Sequence, residues 1–296
     1  MTHYLPNGHT IKDPKLSCEY TIKGVLGRGA STIAYLADYS DGAGYTSERI
    51  LKEYYPISLD IARGSSGELI CAGSVAEKFI EGLARYKNGG ALQNDLRKRA
   101  CLKNETPPLQ RIFDANNTCY LDVVPFEGRT FDKFGTFTLH ERLKICLAVA
   151  KLINQYHKEG YLYLDLKPEN VFVLSNAAGE VVTDMVVLID FDSVMKKDQV
   201  AFGKSLSFTK SWAAPEQINP HGFRKISEAT DIYAIGELVF WSVFNRHSTE
   251  EERRGFSSYT FDDTIRYTAQ RKLSDLFHST LRSSPRNRFS SLLPVV

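Results

Sequence analysis

The chain has 296 residues, a formal net charge of +2, 43% hydrophobic and 24% charged residues, a length and composition that suit one large globular domain or two small lobes. The near balance of charge leaves no electrostatic footprint for nucleic acid or a membrane surface. Cys18, Cys71, Cys101, Cys119 and Cys146 are dispersed without a C-x-x-C pair, which argues against a disulfide framework or zinc and suits a reducing cytoplasm. The opening residues lack an apolar leader core and no stretch approaches the roughly 18–20 apolar residues of a membrane span, so neither a signal peptide nor a membrane segment is expected.

Residues 19–27 and 32–39 carry β-branched and aromatic residues in partial alternation and read as strands, as do residues 48–55. Residues 61–74 read as a loop or small hairpin around Gly64 and Gly67. A helical region spans about 75–102, with an interruption expected at Gly89-Gly90. Strands at 109–114 and 118–124 flank a turn at Ala115-Asn116-Asn117. The texture changes after Gly128: helical spacing of apolar residues appears at 139–158, 229–245 and about 264–282. Glu250–Arg254 reads as a solvated loop. The expectation is an α+β chain, β-rich first and mostly helical afterwards.

Four places carry chemistry. Leu26-Gly27-Arg28-Gly29-Ala30-Ser31-Thr32 lies between two strands, where glycines let backbone N–H groups approach phosphate oxygens, although a G-x-G in a hairpin also serves as a plain turn. Lys52 stands inside an apolar strand, either facing solvent or offering a cation to phosphates. In Tyr161-Leu162-Tyr163-Leu164-Asp165-Leu166-Lys167-Pro168-Glu169-Asn170 an acid, a lysine two residues on and an amide five residues on can converge from one rigid loop. Asp190 ends the apolar strand Val186–Ile189, where a carboxylate is costly unless it caps a turn or meets a cation.

These four, in this order, resemble the protein kinase family, and the resemblance runs from about Tyr20 to Phe289. It implies a bilobal kinase-like fold: a tail at 1–18, an N-lobe and hinge at 19–128, and a C-lobe at 129–296. It implies ATP and Mg²⁺ as cofactors and phosphoryl transfer by positioning and charge neutralisation. Carried over by position, Gly27 and Gly29 cover the phosphates, Lys52 pairs with them, Asp165 orients the substrate hydroxyl, Lys167 neutralises the moving charge, and Asn170 and Asp190 bind the metal. Adenine would lie under Leu26, Ala34 and Ile50, over Phe172, with Val123 as gatekeeper and the backbone of Val124 and Phe126 at its edge. Ala214-Pro215-Glu216 resembles the close of an activation segment, with Glu216 paired to Arg288. Asp231 resembles the residue that braces the catalytic loop, and His157 a structural histidine.

Lys167 and Thr209 match the serine/threonine-specific branch, and the Lys52–Pro56 and Asp190–Asp192 neighbourhoods look like bacterial members. Protein substrates bearing Ser or Thr are therefore expected, the chain itself among them, with Ser205, Ser207 and Thr209 as candidate acceptors. The oligomeric state is not legible. Departures are Thr32 for the third loop glycine, Ile50 for a small alanine, Tyr163-Leu164 for His-Arg, and Asp192 for the glycine after Asp190-Phe191. Asp95 is the first choice of carboxylate partner for Lys52, with Glu77, Glu81 and Gln93 behind it. The departures keep open a nucleotide-binding pseudokinase or scaffold. Lys167 and Ala214–Glu216 argue against a small-molecule kinase.

Overall fold

The computed structural model describes residues 3–202, 208–219, 225–255 and 259–291. Ser205 and Ser207, two candidate acceptors, lie outside the described residues. Two compact units emerge: Met1–Arg99 with Pro107–Phe126, and Ala100–Thr106 with Glu127–Val296.

The first unit is a six-stranded antiparallel sheet with one long helix. Its strands are β1 (Thr10–Lys12), β2 (Glu19–Arg28), β3 (Thr32–Ser40) and β4 (Thr46–Tyr54), then the hairpin β5 (Ile61–Arg63) and β6 (Leu69–Cys71), the helix α1 (Ala76–Arg97), and β7 (Leu109–Ala115) and β8 (Thr118–Val123). The sheet order is β1-β2-β3-β4-β8-β7. All six residues of β8 are buried, as befits a strand covered on both faces. The β7–β8 turn is built on Asn116 and Asn117 at φ 52° and 58°, a left-handed pair that asparagine tolerates.

Register sorts the side chains into two faces, because directly opposed residues point the same way. One row runs Gly27, Ala34, Lys52, Leu121, Ile112; the next residue along gives Arg28, Ile33, Glu53, Tyr120, Phe113 on the opposite face. Helix α1 covers the Lys52 face. It runs unbroken through Gly89-Gly90, against the expected interruption, because Gly90 is where it approaches the sheet: a Cβ there would stand 2.9 Å from both Ile112 and Leu121. Packing outweighs the propensity cost of about 1 kcal/mol per glycine.

The other face is covered by the hairpin and by residues 3–12. The expected tail is instead anchored: β1 pairs with β2, Leu5 and Ile11 are buried, and the Leu5 N–H donates to the Tyr35 hydroxyl at 3.2 Å. Beneath this cover Glu53, fully buried, accepts from both Nη atoms of Arg63 (2.9 and 2.6 Å), from Tyr120 (2.6 Å) and from Tyr35 (3.1 Å). Four donors offset the desolvation of one carboxylate.

The second unit holds β9 (Gly128–Thr130), α2 (Leu139–Lys158), β10 (Tyr161–Leu162), β11 (Val171–Ser175), β12 (Val181–Leu188), β13 (Met195–Lys196), α3 (Pro215–Ile218), α4 (Glu228–Phe244), α5 (Glu250–Arg254) and α6 (Tyr267–Thr280). A Thr138–Glu141 capping box starts α2. Helix α4 is buried over most of its length and packs on α2 and α6; its Phe240 meets Phe277 at 5.1 Å. Glu250–Arg254, expected as a loop, is a short helix capped by Thr249, with Glu252 bridged to Arg246 at 2.7 Å.

Arg63→Met leaves the Glu53 carboxylate buried without its cation and is expected to cost about 3–5 kcal/mol in denaturant unfolding, whereas Lys98→Met at the exposed Asp95 pair changes stability by less than about 1 kcal/mol.

Candidate active site

The chemistry of the second unit begins with a buried carboxylate on α4. Asp231, wholly buried, accepts the backbone N–H of Tyr163 (2.9 Å) and of Leu164 (2.8 Å) and meets Nε2 of His157 at 2.8 Å. Gln217 of α3 donates to the Leu164 carbonyl at 2.8 Å. Leu164 has φ 68°, a conformation costly for a leucine, which these bonds hold from both sides. The strain turns the chain so that the next side chain, Asp165, leaves the core.

Asp165 is the centre of a hydrogen-bonded cluster. Its Oδ1 accepts from the Thr209 N–H (2.8 Å); its Oδ2 accepts from Lys167 Nζ (3.1 Å) and Asn170 Nδ2 (3.3 Å). Lys167 also donates to the Thr209 hydroxyl at 2.7 Å, and Asn170 Nδ2 to the Asp165 carbonyl at 2.9 Å. Pro168 opens the short 3₁₀ turn that fixes Asn170. The Asn170 carbonyl accepts from the Ile189 N–H at 3.1 Å, which brings the end of β12, and so Asp190, beside it.

Asp190 Oδ1 accepts from the Asp192 N–H at 3.1 Å, a local turn. Asp192 is not among the residues with positive φ, so no left-handed conformation is demanded where the resemblance has glycine. Tyr163 packs edge-on to Phe191, 6.5 Å between ring centroids. Burial first, then the Asp190 and Asp165 carboxylates, push the Tyr163 phenol well above its ordinary value of 10, so it stays neutral.

Two hard oxygen donors suit a divalent cation. The Asn170 amide turns its NH₂ to Asp165, and its oxygen takes no hydrogen bond among the described residues; the Asp190 carboxylate stands on the neighbouring backbone. The donor chemistry therefore fits Mg²⁺.

Glu216 and Arg288 form a bidentate buried pair at 2.7 and 2.9 Å; Thr230 also donates to Glu216, and Arg288 to the Ala229 carbonyl. This joins α3, the start of α4 and the C-terminal segment.

In the first unit, Ala34, Ile50, Lys52 and Val123 share one face of the sheet. Leu26 is exposed beside Gly27 and Gly29, which have no positive φ; a Cβ on Gly27 would meet nothing within 4 Å, so the fold itself does not require glycine there. The Val124 N–H donates to the Pro108 carbonyl at 2.9 Å, leaving its own carbonyl as the group it can offer a ligand. Phe126 packs at the margin of this unit's core, and Phe172 lies on β11 of the second unit, paired with Thr130 and Val187.

The expectation for Asp95 is not met. Asp95 pairs with Lys98 at the surface, Glu77 and Glu81 are exposed, and Gln93 donates to the Pro107 carbonyl. The buried face of α1 carries Phe79, Gly82, Tyr86, Gly89, Gly90, Gln93 and Leu96, and Tyr86 donates to the Lys52 carbonyl at 2.9 Å. Sequence reasoning missed Tyr86 and Gln217. The i, i+3, i+4 spacing of Gly82, Tyr86, Gly89 and Gly90 was the available signal for Tyr86; nothing local marked Gln217.

A sequence model of the protein kinase domain matches residues 109–293. The chain belongs to the protein kinase family. Among curated kinases it is similar to smooth-muscle myosin light chain kinase of Gallus gallus, 26% identical over 166 residues, covering 52% of this chain and 8% of that protein. It is also similar to serine/threonine-protein kinase H1 of Homo sapiens, 20% identical over 248 residues, covering 82% of this chain and 50% of that protein. This kinase chain thus spans half or less of the length of those relatives. The solved structure of PpkA-294 in its apo form shares the fold, with a TM-score of 0.70 at 19% identity, covering 98% of this chain and 97% of that one. The α+β protein-kinase fold, a β-rich unit and a mostly helical one, is therefore the architecture of this kinase. Members of this family in general use ATP and a divalent metal to modify proteins. No helix among the described residues is long and apolar enough to cross a membrane.

Asp231→Asn places an NH₂ group against backbone donors. It is expected to destabilise this kinase by about 3 kcal/mol in chemical denaturation, because buried bonds to a charged group are lost.

Proposed function

We propose that this kinase transfers the γ-phosphoryl group of ATP to serine and threonine hydroxyls of proteins, itself among them, in the cytoplasm of a bacterium. The observation that carries the reading is the single network joining Asp165, Lys167, Asn170 and Thr209 beside Asp190. An acid held by a backbone N–H on one oxygen and a lysine on the other is oriented to accept the hydrogen bond of an incoming hydroxyl and take its proton as the oxygen attacks. Lys167, on its Thr209 tether, offsets charge on the phosphoryl group in transit. Mg²⁺, held by the Asn170 amide oxygen and Asp190, would neutralise phosphate charge. Lys52 pairs with phosphate, and Gly27 and Gly29 leave backbone room over it. Leu26, Ala34, Ile50 and Val123 receive the adenine, with the Val124 carbonyl and the Phe126 backbone at its edge. The Lys167–Thr209 contact supports Ser/Thr over Tyr as acceptor, and the curated relative H1 is named for that specificity.

A second reading, a nucleotide-binding scaffold without transfer, draws on the departures from the family pattern: Thr32 for the third loop glycine, Tyr163-Leu164 for His-Arg and Asp192 for the glycine after Phe191.

Radiolabelled ATP with Mg²⁺ and a generic protein acceptor separates the two. Asp165→Asn and Asp190→Asn are each expected to lower kcat by about a hundredfold or more while the thermal midpoint holds, and hydrolysed product is expected to yield phosphoserine and phosphothreonine only. A wild-type rate no higher than that of Asp165→Asn would leave the scaffold standing.

Leu164, where the resemblance has arginine, is buried in an apolar cluster with Leu162 and Ile226, against Met195 and Val200 of the segment that follows Asp190. Apolar packing holds that segment where a phosphate receptor would need a cation. Phosphatase-treated protein is accordingly expected to keep its kcat within about twofold; abolished activity would refute this.

A further inference from the structure

Arg28 stands between the two loop glycines yet points away from the Lys52 face. Paired with Ile33 and in the row of Glu53, it lies on the face covered by the amino-terminal segment, and it is the half-buried residue of Leu26–Ala30. Its guanidinium lies over the ring of Tyr55 at 5.6 Å and the ring of Tyr4 at 5.8 Å, and its Nε is buried without an acceptor among the described residues. The binding of this group therefore comes from stacking, which strengthens as water is excluded.

Tyr55 is the centre of the assembly. Arg63 lies over the same ring at 5.2 Å, His3 Nδ1 is 2.9 Å from its hydroxyl, and Arg63 Nε donates to the His3 carbonyl at 3.0 Å. Residues 3 and 4 are thus tied to the Arg63–Glu53 pair, one position along β4 from Lys52. The loop backbone is tied to the same stretch: the Ser31 carbonyl accepts from the Tyr55 N–H at 2.7 Å, and the Ala30 carbonyl from the Ile57 N–H at 3.0 Å. Further along, Gly8 donates to the Ile22 carbonyl and Ile22 to the His9 carbonyl, so the segment follows β2 into β1.

We propose that His3–Lys12 is a brace that sets nucleotide affinity: through Tyr4 and Arg28 it holds the Gly27–Thr32 loop from behind, leaving the glycine backbone free toward ATP phosphates. Arg28 is then a positioning residue. The proposal rests on the reading above that this loop covers nucleotide. A loop with two glycines loses much conformational freedom on ordering, and a brace that orders it beforehand lowers the cost of binding.

Full-length Tyr4→Ala, Arg28→Met and the double variant test this by ATP KM, kcat, thermal midpoint and hydrogen exchange of residues 26–32 without nucleotide. Tyr4→Ala is expected to raise ATP KM about fivefold, the worth of one stacked cation, with kcat unchanged, and Arg28→Met, which also leaves the Tyr55 ring, to raise it at least as much, each with faster exchange in the loop. The double variant is expected to match Arg28→Met, since that change already removes the Tyr4 stack along with the Tyr55 one, and Arg28→Lys to recover part of the loss. A lowered thermal midpoint with unchanged KM and exchange marks a purely structural cap and overturns the brace, as do KM effects that multiply in the double variant. A wild type that neither binds nor uses ATP removes the reading beneath the proposal and the proposal with it.

Discussion

The loop that carries Asp165 depends on one carboxylate that never leaves the core. Asp231 grips two successive backbone N–H groups and a histidine, and it does so from α4, the most buried helix among the described residues. The grip forces Leu164 into a conformation it would not adopt alone, and that single twist separates the buried Tyr163 and Leu164 from the outward-facing Asp165. A strained residue of this kind persists only where its surroundings over-determine it. Here Asp231 acts from one side, Gln217 from the other, and the apolar cluster of Leu162, Leu164 and Ile226 from beneath.

Helix α4 also carries the other end of the scaffold. Glu216, which precedes Gln217, is held by Arg288 and by Thr230, the residue before Asp231. The chain that returns from Thr209 is therefore pinned one residue away from the anchor of the loop that carries Asp165. Thr209 meets Asp165 and Lys167 because both segments share this base, so the geometry of the cluster is set by the buried charges beneath it as much as by the half-buried side chains that compose it.

Much of this was readable in order along the chain. Strands two to four, seven and eight, and the long helices α2 and α4, follow from β-branched alternation or from apolar residues at helical spacing, and the cluster around Asp165 comes from one short motif plus two distant residues. What was not readable has physical reasons. Gly89-Gly90 reads as a break because local propensity opposes a helix there, while the sheet beneath rewards the absence of a Cβ. Residues 1–18 read as a tail because the three-residue strand within them is too short to announce itself and the anchors of residues 3–12, among them Tyr35, Tyr55 and Arg63, are far along the sequence. Asp95 has a suitable spacing, but spacing says nothing about which face of α1 turns inward.

The period of two in a strand has a consequence for how this kinase is assembled. Lys52 and Glu53 are neighbours, yet one faces α1 and the other faces the amino-terminal cover. The same alternation at Gly27-Arg28 gives one residue to a backbone surface open to approach and the next to a stack of aromatic rings. A shift of register by one residue in β4 would turn Lys52 beneath the cover and Glu53 toward α1, away from Arg63, which leaves the buried carboxylate without its cation. The Glu53–Arg63 pair therefore acts as a register lock: its value lies less in net stability, which a hydrophobic pair could match, than in penalising every alignment that would turn Lys52 away from the face where Ala34, Ile50 and Val123 stand.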